Sequence, residues 1–260
     1  VNPEDKTDYT TYIQTVYNRE NGLPGGCAND IAQTADGILW IGTYGGLYRY
    51  NGNEFQWMDE FESVKTVNCL YTDEEGRLWI GTNDSGLSIC INETITNVVS
   101  EKDGLTADSV RCITQSSDGD YYVGTSDAMS ILTLAGGLSV KDTIPEIIYA
   151  NSIDSDQNGN IAVVTDEGKL YLIRGKEILA ELQPAEGGNY TCCMFDEEGK
   201  LYAGTSGKTI EIYDCEEGLV LSDRLSCEGL NNIKSVCFQE DETLFLCADN
   251  GIAYFDGEGV

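Results

Sequence analysis

An eight-residue pattern recurs six times along this chain, at intervals of about forty residues. It first reads Asp36-Gly37-Ile38-Leu39-Trp40-Ile41-Gly42-Thr43, then Glu75-Gly76-Arg77-Leu78-Trp79-Ile80-Gly81-Thr82. Asp118–Thr125, Asn158–Thr165, Glu198–Thr205 and Asp241–Ala248 repeat it with growing divergence. The turn residue of each copy falls at positions 37, 76, 119, 159, 199 and 242. A period of this length holds one supersecondary unit per copy. Such a unit buries its apolar face only by stacking on its neighbours.

Each copy contains several short β signals. An apolar run ahead of the turn (Ile31, Leu70, Ile113, Ile153, Cys193, Val236) leads into the tight turn and a second apolar strand. A further turn and a third strand follow, as in Gly46-Leu47-Tyr48-Arg49-Tyr50, and a weaker fourth, as in Glu54-Phe55-Gln56-Trp57. Four strands per repeat, with no helical period of 3.6, predict an all-β six-bladed β-propeller of four-stranded blades. One domain is expected over residues 1–260. The last copy ends at its third strand, Ile252–Phe255, whereas an orphan strand, Thr11–Tyr17, precedes the first copy. That strand is expected to complete the sixth blade, which removes two sheet edges. A fragment of a seven-bladed ring is the alternative.

Composition narrows the chemistry. The chain has no histidine, which removes Ser-His-Asp and Cys-His catalysis and His-ligated zinc. A binding role is therefore favoured over an enzyme, and a propeller hydrolase or lyase is disfavoured. Forty-five acidic residues against fifteen basic ones give a net charge of −30, which repels nucleic acid and anionic lipid. No apolar stretch approaches the roughly 20 residues of a membrane helix, and no basic-then-apolar leader opens the chain.

Trp40, Trp79, Tyr122, Tyr202 and Phe245 share one repeat position. Their apolar flanks predict blade-to-blade packing rather than a stacking platform for ligand. Acids crowd the first turn of every copy, so one face of a propeller is expected to be strongly negative, with solvation or a basic partner as its uses. Asp154-Ser155-Asp156-Gln157-Asn158-Gly159-Asn160 resembles the opening of a calcium loop, with Asp154, Asp156 and Asn158 as the ligand candidates. Thr165 stands where that loop needs Glu, so no metal and no cofactor are expected. Among ten cysteines, Cys69, Cys112 and Cys192 occupy one inner-strand register, and symmetry keeps them apart. Buried free thiols are expected there, while disulfides involving Cys27, Cys90, Cys215 or Cys227 stay open.

The candidate site lies eight residues before each turn. Asn29, Asn68, Arg111, Asn151, Thr191 and Lys234 occupy that register, polar in every copy. Their neighbours one residue back are mostly apolar. Side chains alternate along a strand, so the six are expected to face the central channel. Thr66, Ser109, Tyr149, Asn189 and Asn232, two residues further back, extend the lining toward the mouth. Arg111 and Lys234 lie three blades apart and are expected to make a positive spot suited to carboxylates or polarised hydroxyls.

The runs Asp-Gly-Ile-Leu-Trp-Ile-Gly-Thr and Gly-Gly-Leu-Tyr-Arg-Tyr, with the linkers Asn21-Gly22-Leu23-Pro24 and Asp103-Gly104-Leu105-Thr106, resemble the two-component-regulator propeller repeat. That resemblance implies the extracytoplasmic sensor region of a bacterial hybrid histidine kinase or a diguanylate-cyclase-linked receptor. It implies a non-catalytic ligand-sensing domain, a small polar or saccharide-like ligand, and a periplasmic or cell-surface location. Kinase, cyclase and membrane segments are outside these residues. A protein-interaction scaffold, holding a second propeller or a homodimer partner through the same loops, is the alternative from another class.

Overall fold

The computed structural model describes residues 15–20, 22–23, 27–185, 187–239 and 243–255. Six antiparallel sheets follow one another along the chain, each ordered from its first strand outward. The first contains β1 (Ala28–Gln33), β2 (Leu39–Thr43), β3 (Gly46–Tyr50) and β4 (Phe55–Trp57). The second contains β5 (Val67–Thr72), β6 (Leu78–Thr82), β7 (Leu87–Ile91) and β8 (Thr94–Val99). β9 (Val110–Gln115), β10 (Tyr121–Thr125), β11 (Ala128–Thr133) and β12 (Ser139–Ile148) form the third. β13 (Ala150–Ser155), β14 (Asn160–Thr165), β15 (Leu170–Arg174) and β16 (Glu177–Leu182) form the fourth. The fifth contains β17 (Tyr190–Phe195), β18 (Leu201–Thr205), β19 (Thr209–Asp214) and β20 (Val220–Ser226). The sixth contains β21 (Ile233–Phe238), β22 (Leu244–Ala248) and β23 (Gly251–Phe255). The fold is all-β, a six-bladed β-propeller, as the repeat predicts.

The expected closing strand, Thr11–Tyr17, lies largely outside the described residues. Its described end, Thr15–Tyr17, is not in a strand, and Tyr17 meets the first blade instead. The Tyr17 ring sits 5.0 Å from Phe55, and its hydroxyl is 2.9 Å from that of Tyr50.

Two kinds of glycine explain why the pattern persists. Gly37, Gly76, Gly119, Gly159 and Gly199 all hold φ near +80° at the first turn, a region that penalises any Cβ. The second glycine answers a close approach between blades. A Cβ on Gly81 would stand 2.4 Å from Cys69 Sγ and 2.6 Å from Val110 Cγ1 of the next blade. Gly42, Gly124 and Gly204 meet Val67, Ala150 and Ile233 in the same way.

Those contacts build the core. Apolar clusters pack between successive sheets, with Trp40, Trp79 and Tyr122 all buried, as expected of packing residues. The seam between the sixth and first blades is different. Leu47, Leu87, Met129, Leu170 and Ile210 share one third-strand register and are all 0% exposed, while Ile252 in that register is 74% exposed. Across the seam Ile31 is 58% exposed, whereas Leu70, Ile113, Cys193 and Val236 in its register are buried. Cys247, which replaces the second glycine, is exposed as well.

The acids of the first turns cap their own hairpins. Asp73 Oδ1 accepts from the N–H groups of Glu75 and Arg77, and Asp196 Oδ1 from those of Glu198 and Lys200. This local bonding places a carboxylate at the turn without any ligand.

Candidate functional site

Each inner strand begins where the linker from the preceding blade enters, and a cavity of about 430 Å³ lies at that end of the six strands. Asn29, Asn68, Arg111, Asn151, Thr191 and Lys234 all line it. The structure therefore brings together the whole six-residue ring. The preceding residues Val67, Val110, Ala150, Tyr190 and Ile233 are buried between blades, as alternation predicts, while the following residues Asp30, Cys69, Cys112, Ser152, Cys192 and Ser235 line the same cavity.

These side chains also stitch the ring. Asn29 Nδ2 donates to the Val67 carbonyl at 2.7 Å, and Asn68 Nδ2 donates to that of Val110 at 3.0 Å. The Thr191 hydroxyl donates to the Ile233 carbonyl. Arg111 Nε donates to Asn151 Oδ1 at 2.7 Å, and Asn151 Nδ2 donates to Asp166 at 3.1 Å. The bonds from Asn29, Asn68, Thr191 and Arg111 each reach the next blade, and the Asn151–Asp166 bond stays within the fourth. The Asn29, Asn68 and Thr191 donors satisfy backbone carbonyls that a channel would otherwise strand. Among the described residues no such bridge joins β21 to β1. Lys234 Nζ pairs instead with Asp249 of its own blade, at 3.4 Å.

The positive spot is thus unequal. Lys234 has a carboxylate at hand, while Arg111 has none among the described residues. The Arg111 guanidinium lies 4.5 Å from the centroid of the Tyr149 ring, a cation–π arrangement. Tyr149 holds φ +57°, and Asn232, in the same register of the sixth blade, holds φ +56°. Left-handed backbone at non-glycine positions is uncommon and tends to mark constrained sites. Neither residue lines the cavity, nor does Asn189. Asn232 Nδ2 donates to Asp249, and the Asn189 side chain packs where a Cβ on Gly168 would stand. Tyr149 reaches the site only through Arg111.

Two of the other lining residues, which pattern reading passed over, bond across blade seams. Asp30 Oδ2 accepts from the Leu70 N–H at 2.8 Å, and Ser152 Oγ accepts from the Cys193 N–H at 3.1 Å, each across a blade seam. Burial raises the Asp30 pKa, and the N–H groups of Leu70 and Ile31 oppose it. The signal was an acid in a register otherwise held by Cys69, Cys112, Ser152, Cys192 and Ser235. The cavity therefore offers amides, hydroxyls, a carboxylate and two cations, a set suited to a hydroxylated ligand.

The calcium-like loop spends its oxygens internally. Asp156 Oδ1 accepts from the N–H groups of Asn158 and Asn160, and Oδ2 from the Asn160 amide. Asp154 turns to the next blade, where Oδ2 accepts from the Phe195 N–H at 2.7 Å. Among the described residues no group of three or more histidines, cysteines or acids is placed to hold a metal. All ten cysteines are free, and seven are buried.

Comparison with known proteins agrees with this architecture. The extracellular domain of a hybrid two-component system from B. thetaiotaomicron superimposes with a TM-score of 0.77 at 22% identity, over 94% of this chain. This chain spans 35% of that one. The WD40 β-propeller domain of Doa1 superimposes with a TM-score of 0.69 at 14% identity, covering 90% of this chain and 80% of that one. No curated protein matches the sequence. The profile of the two component regulator propeller family matches residues 22–45 and 62–84, which span the first turns of the first two blades. Residues 22–45 and 62–84 thus match the two component regulator propeller repeat, within a six-bladed β-propeller.

Proposed function

We propose that this chain is the propeller part of a two-component sensor region, and that it takes a small polar, saccharide-like ligand at the mouth of its central cavity. The observation that carries this reading is the convergence of one polar side chain from every blade on a single cavity of about 430 Å³. Clefts of a few hundred Å³ with a few convergent polar groups are the usual form of small-molecule sites. The role is binding rather than catalysis, since no histidine and no nucleophile–base pair stands in the cavity. The likeness to an extracellular two-component domain supports an extracytoplasmic location. No helix among the described residues is long and apolar enough to cross a membrane, so signal output would come from other segments.

The test is a thermal-shift screen of neutral and acidic mono- and disaccharides, followed by calorimetry on any hit. Arg111→Met with Lys234→Met should weaken that hit at least tenfold while the circular-dichroism spectrum stays that of the folded chain. Undiminished affinity in the double variant would overturn the assignment.

A further inference from the structure

A second pocket, of about 510 Å³, opens at the other end of the inner strands, on the seam between the fifth and sixth blades. Its apolar wall is Met194, Tyr202 and Phe238, and its rim is Asp196, Glu197 and Glu198. The wall departs from the repeat in two ways. Gln33, Thr72, Gln115 and Ser155 hold the register that carries Phe195 and Phe238 in the last two blades. Tyr202 holds the register of Trp40, Trp79 and Tyr122, yet those three rings are buried and Tyr202 is not. It stands edge-on to Phe238, with centroids 4.9 Å apart and planes at 78°. Both rings line the pocket.

The field inside is negative. Asp196, Glu198 and Asp223 all act on the Tyr202 phenol, adding to burial in raising its pKa. Lys200 is the one basic residue lining the pocket, against three carboxylates at its rim. An aromatic face beside carboxylates attracts an organic cation twice, through the ring quadrupole and through charge.

We infer that this pocket binds an organic cation, an alkylammonium or guanidinium group whose charge meets the carboxylate rim and whose methylenes lie on Tyr202 and Phe238. The cation could come from a free polyamine or from a basic peptide side chain. The site is separate from the central cavity and does not depend on a ligand there.

Calorimetry of the full chain with spermidine, and in a parallel arm with a Gly/Ser peptide carrying one lysine, tests it. Saturable one-site binding is expected, weakened at least tenfold by Phe238→Leu and by Glu197→Gln with Glu198→Gln. The second variant alters only exposed side chains and so keeps the fold. Asp59→Asn with Glu60→Gln removes the same charge from the linker between the first and second blades, and it should leave binding unchanged. Equal loss in both charge variants would show a diffuse polyanion and overturn the site. Absence of binding by either probe at millimolar concentration would overturn it too. The tighter arm identifies the source of the cation.

Discussion

The indole N–H of Trp79 donates to Asp73 Oδ2 at 2.7 Å, and the Tyr121 hydroxyl of the next blade donates to the same oxygen at 3.0 Å. Arg77 Nε adds a third bond at 2.6 Å. Trp79 and Tyr121 stack with centroids 4.0 Å apart, so one buried carboxylate fixes a hairpin, its aromatic and a blade seam together. Burial pushes the Asp73 pKa up, but the donors from Trp79, Arg77 and Tyr121 outweigh it and hold the group below its usual value.

Asp73→Ala should therefore cost about 2–4 kcal/mol, because it leaves the buried indole N–H of Trp79 without its acceptor and takes one partner from the Tyr121 phenol and the half-buried Arg77. Asp73→Asn should cost less, since one acceptor oxygen remains. Urea unfolding followed by tryptophan fluorescence measures both. A loss under 1 kcal/mol in the alanine variant would show that the network is ornamental.

Asp154 and Asp73 should give opposite pH dependences. Burial raises Asp154 to about 6, against partial relief from the Phe195 and Ser155 N–H groups, and Asp156 adds repulsion. A folded pKa above the unfolded one means that the fold favours the protonated acid. Its contribution is present below pH ~4 and is lost as pH rises through about 6. Asp73 contributes above its unfolded pKa and loses that contribution as pH falls. Asp154→Asn should thus raise stability at pH 7, by at most about 3 kcal/mol, and flatten the profile between pH 4 and 6. Melting temperatures across that range decide it; an unchanged slope would reject the account.

The blades were legible because each element of the pattern answers a local demand: a left-handed turn at Gly76, a close approach at Gly81, a packed ring at Trp79. The polar ring was legible too, because alternation is a property of a single strand. What Asn29, Asn68 and Thr191 bond to was not. Their partners lie about forty residues on, in the next blade, and no local pattern encodes that distance. The same limit hid Asp30 and Ser152. Register predicts that Tyr149, Asn189 and Asn232 extend the lining, but none of them lines the cavity, because their side chains follow neighbours that the register does not name.

Thiol accessibility reads the packing directly. Cys27, Cys237 and Cys247 are exposed, while Cys69, Cys90, Cys112, Cys192, Cys193, Cys215 and Cys227 are buried. Burial lifts Cys112 to about 12 and Cys192 to about 11, so neither offers thiolate at neutral pH. Three thiols should react with a chromogenic disulfide in the native protein, and seven more only in denaturant. Cys237 should be the slowest of the three, because partial burial and the nearby Cys247 raise its pKa.

The last prediction concerns the seam between the sixth and first blades. At Gly81 a Cβ would collide with Cys69 Sγ and Val110 Cγ1, and the inner strand that carries Val110 cannot retreat without opening the blade interface. Gly81→Ala should accordingly cost about 1–3 kcal/mol. Cys247 occupies the equivalent place in the sixth blade, where the following inner strand is β1. Ala28, the counterpart of Val110 there, is exposed, as is Cys247 itself. Exposed in this way, the position tolerates a side chain larger than alanine. Cys247→Ala and Cys247→Ser should each stay within about 0.5 kcal/mol of the parent. If Cys247→Ser instead destabilises as strongly as Gly81→Ala, the sixth and first blades are packed in solution as tightly as any other pair.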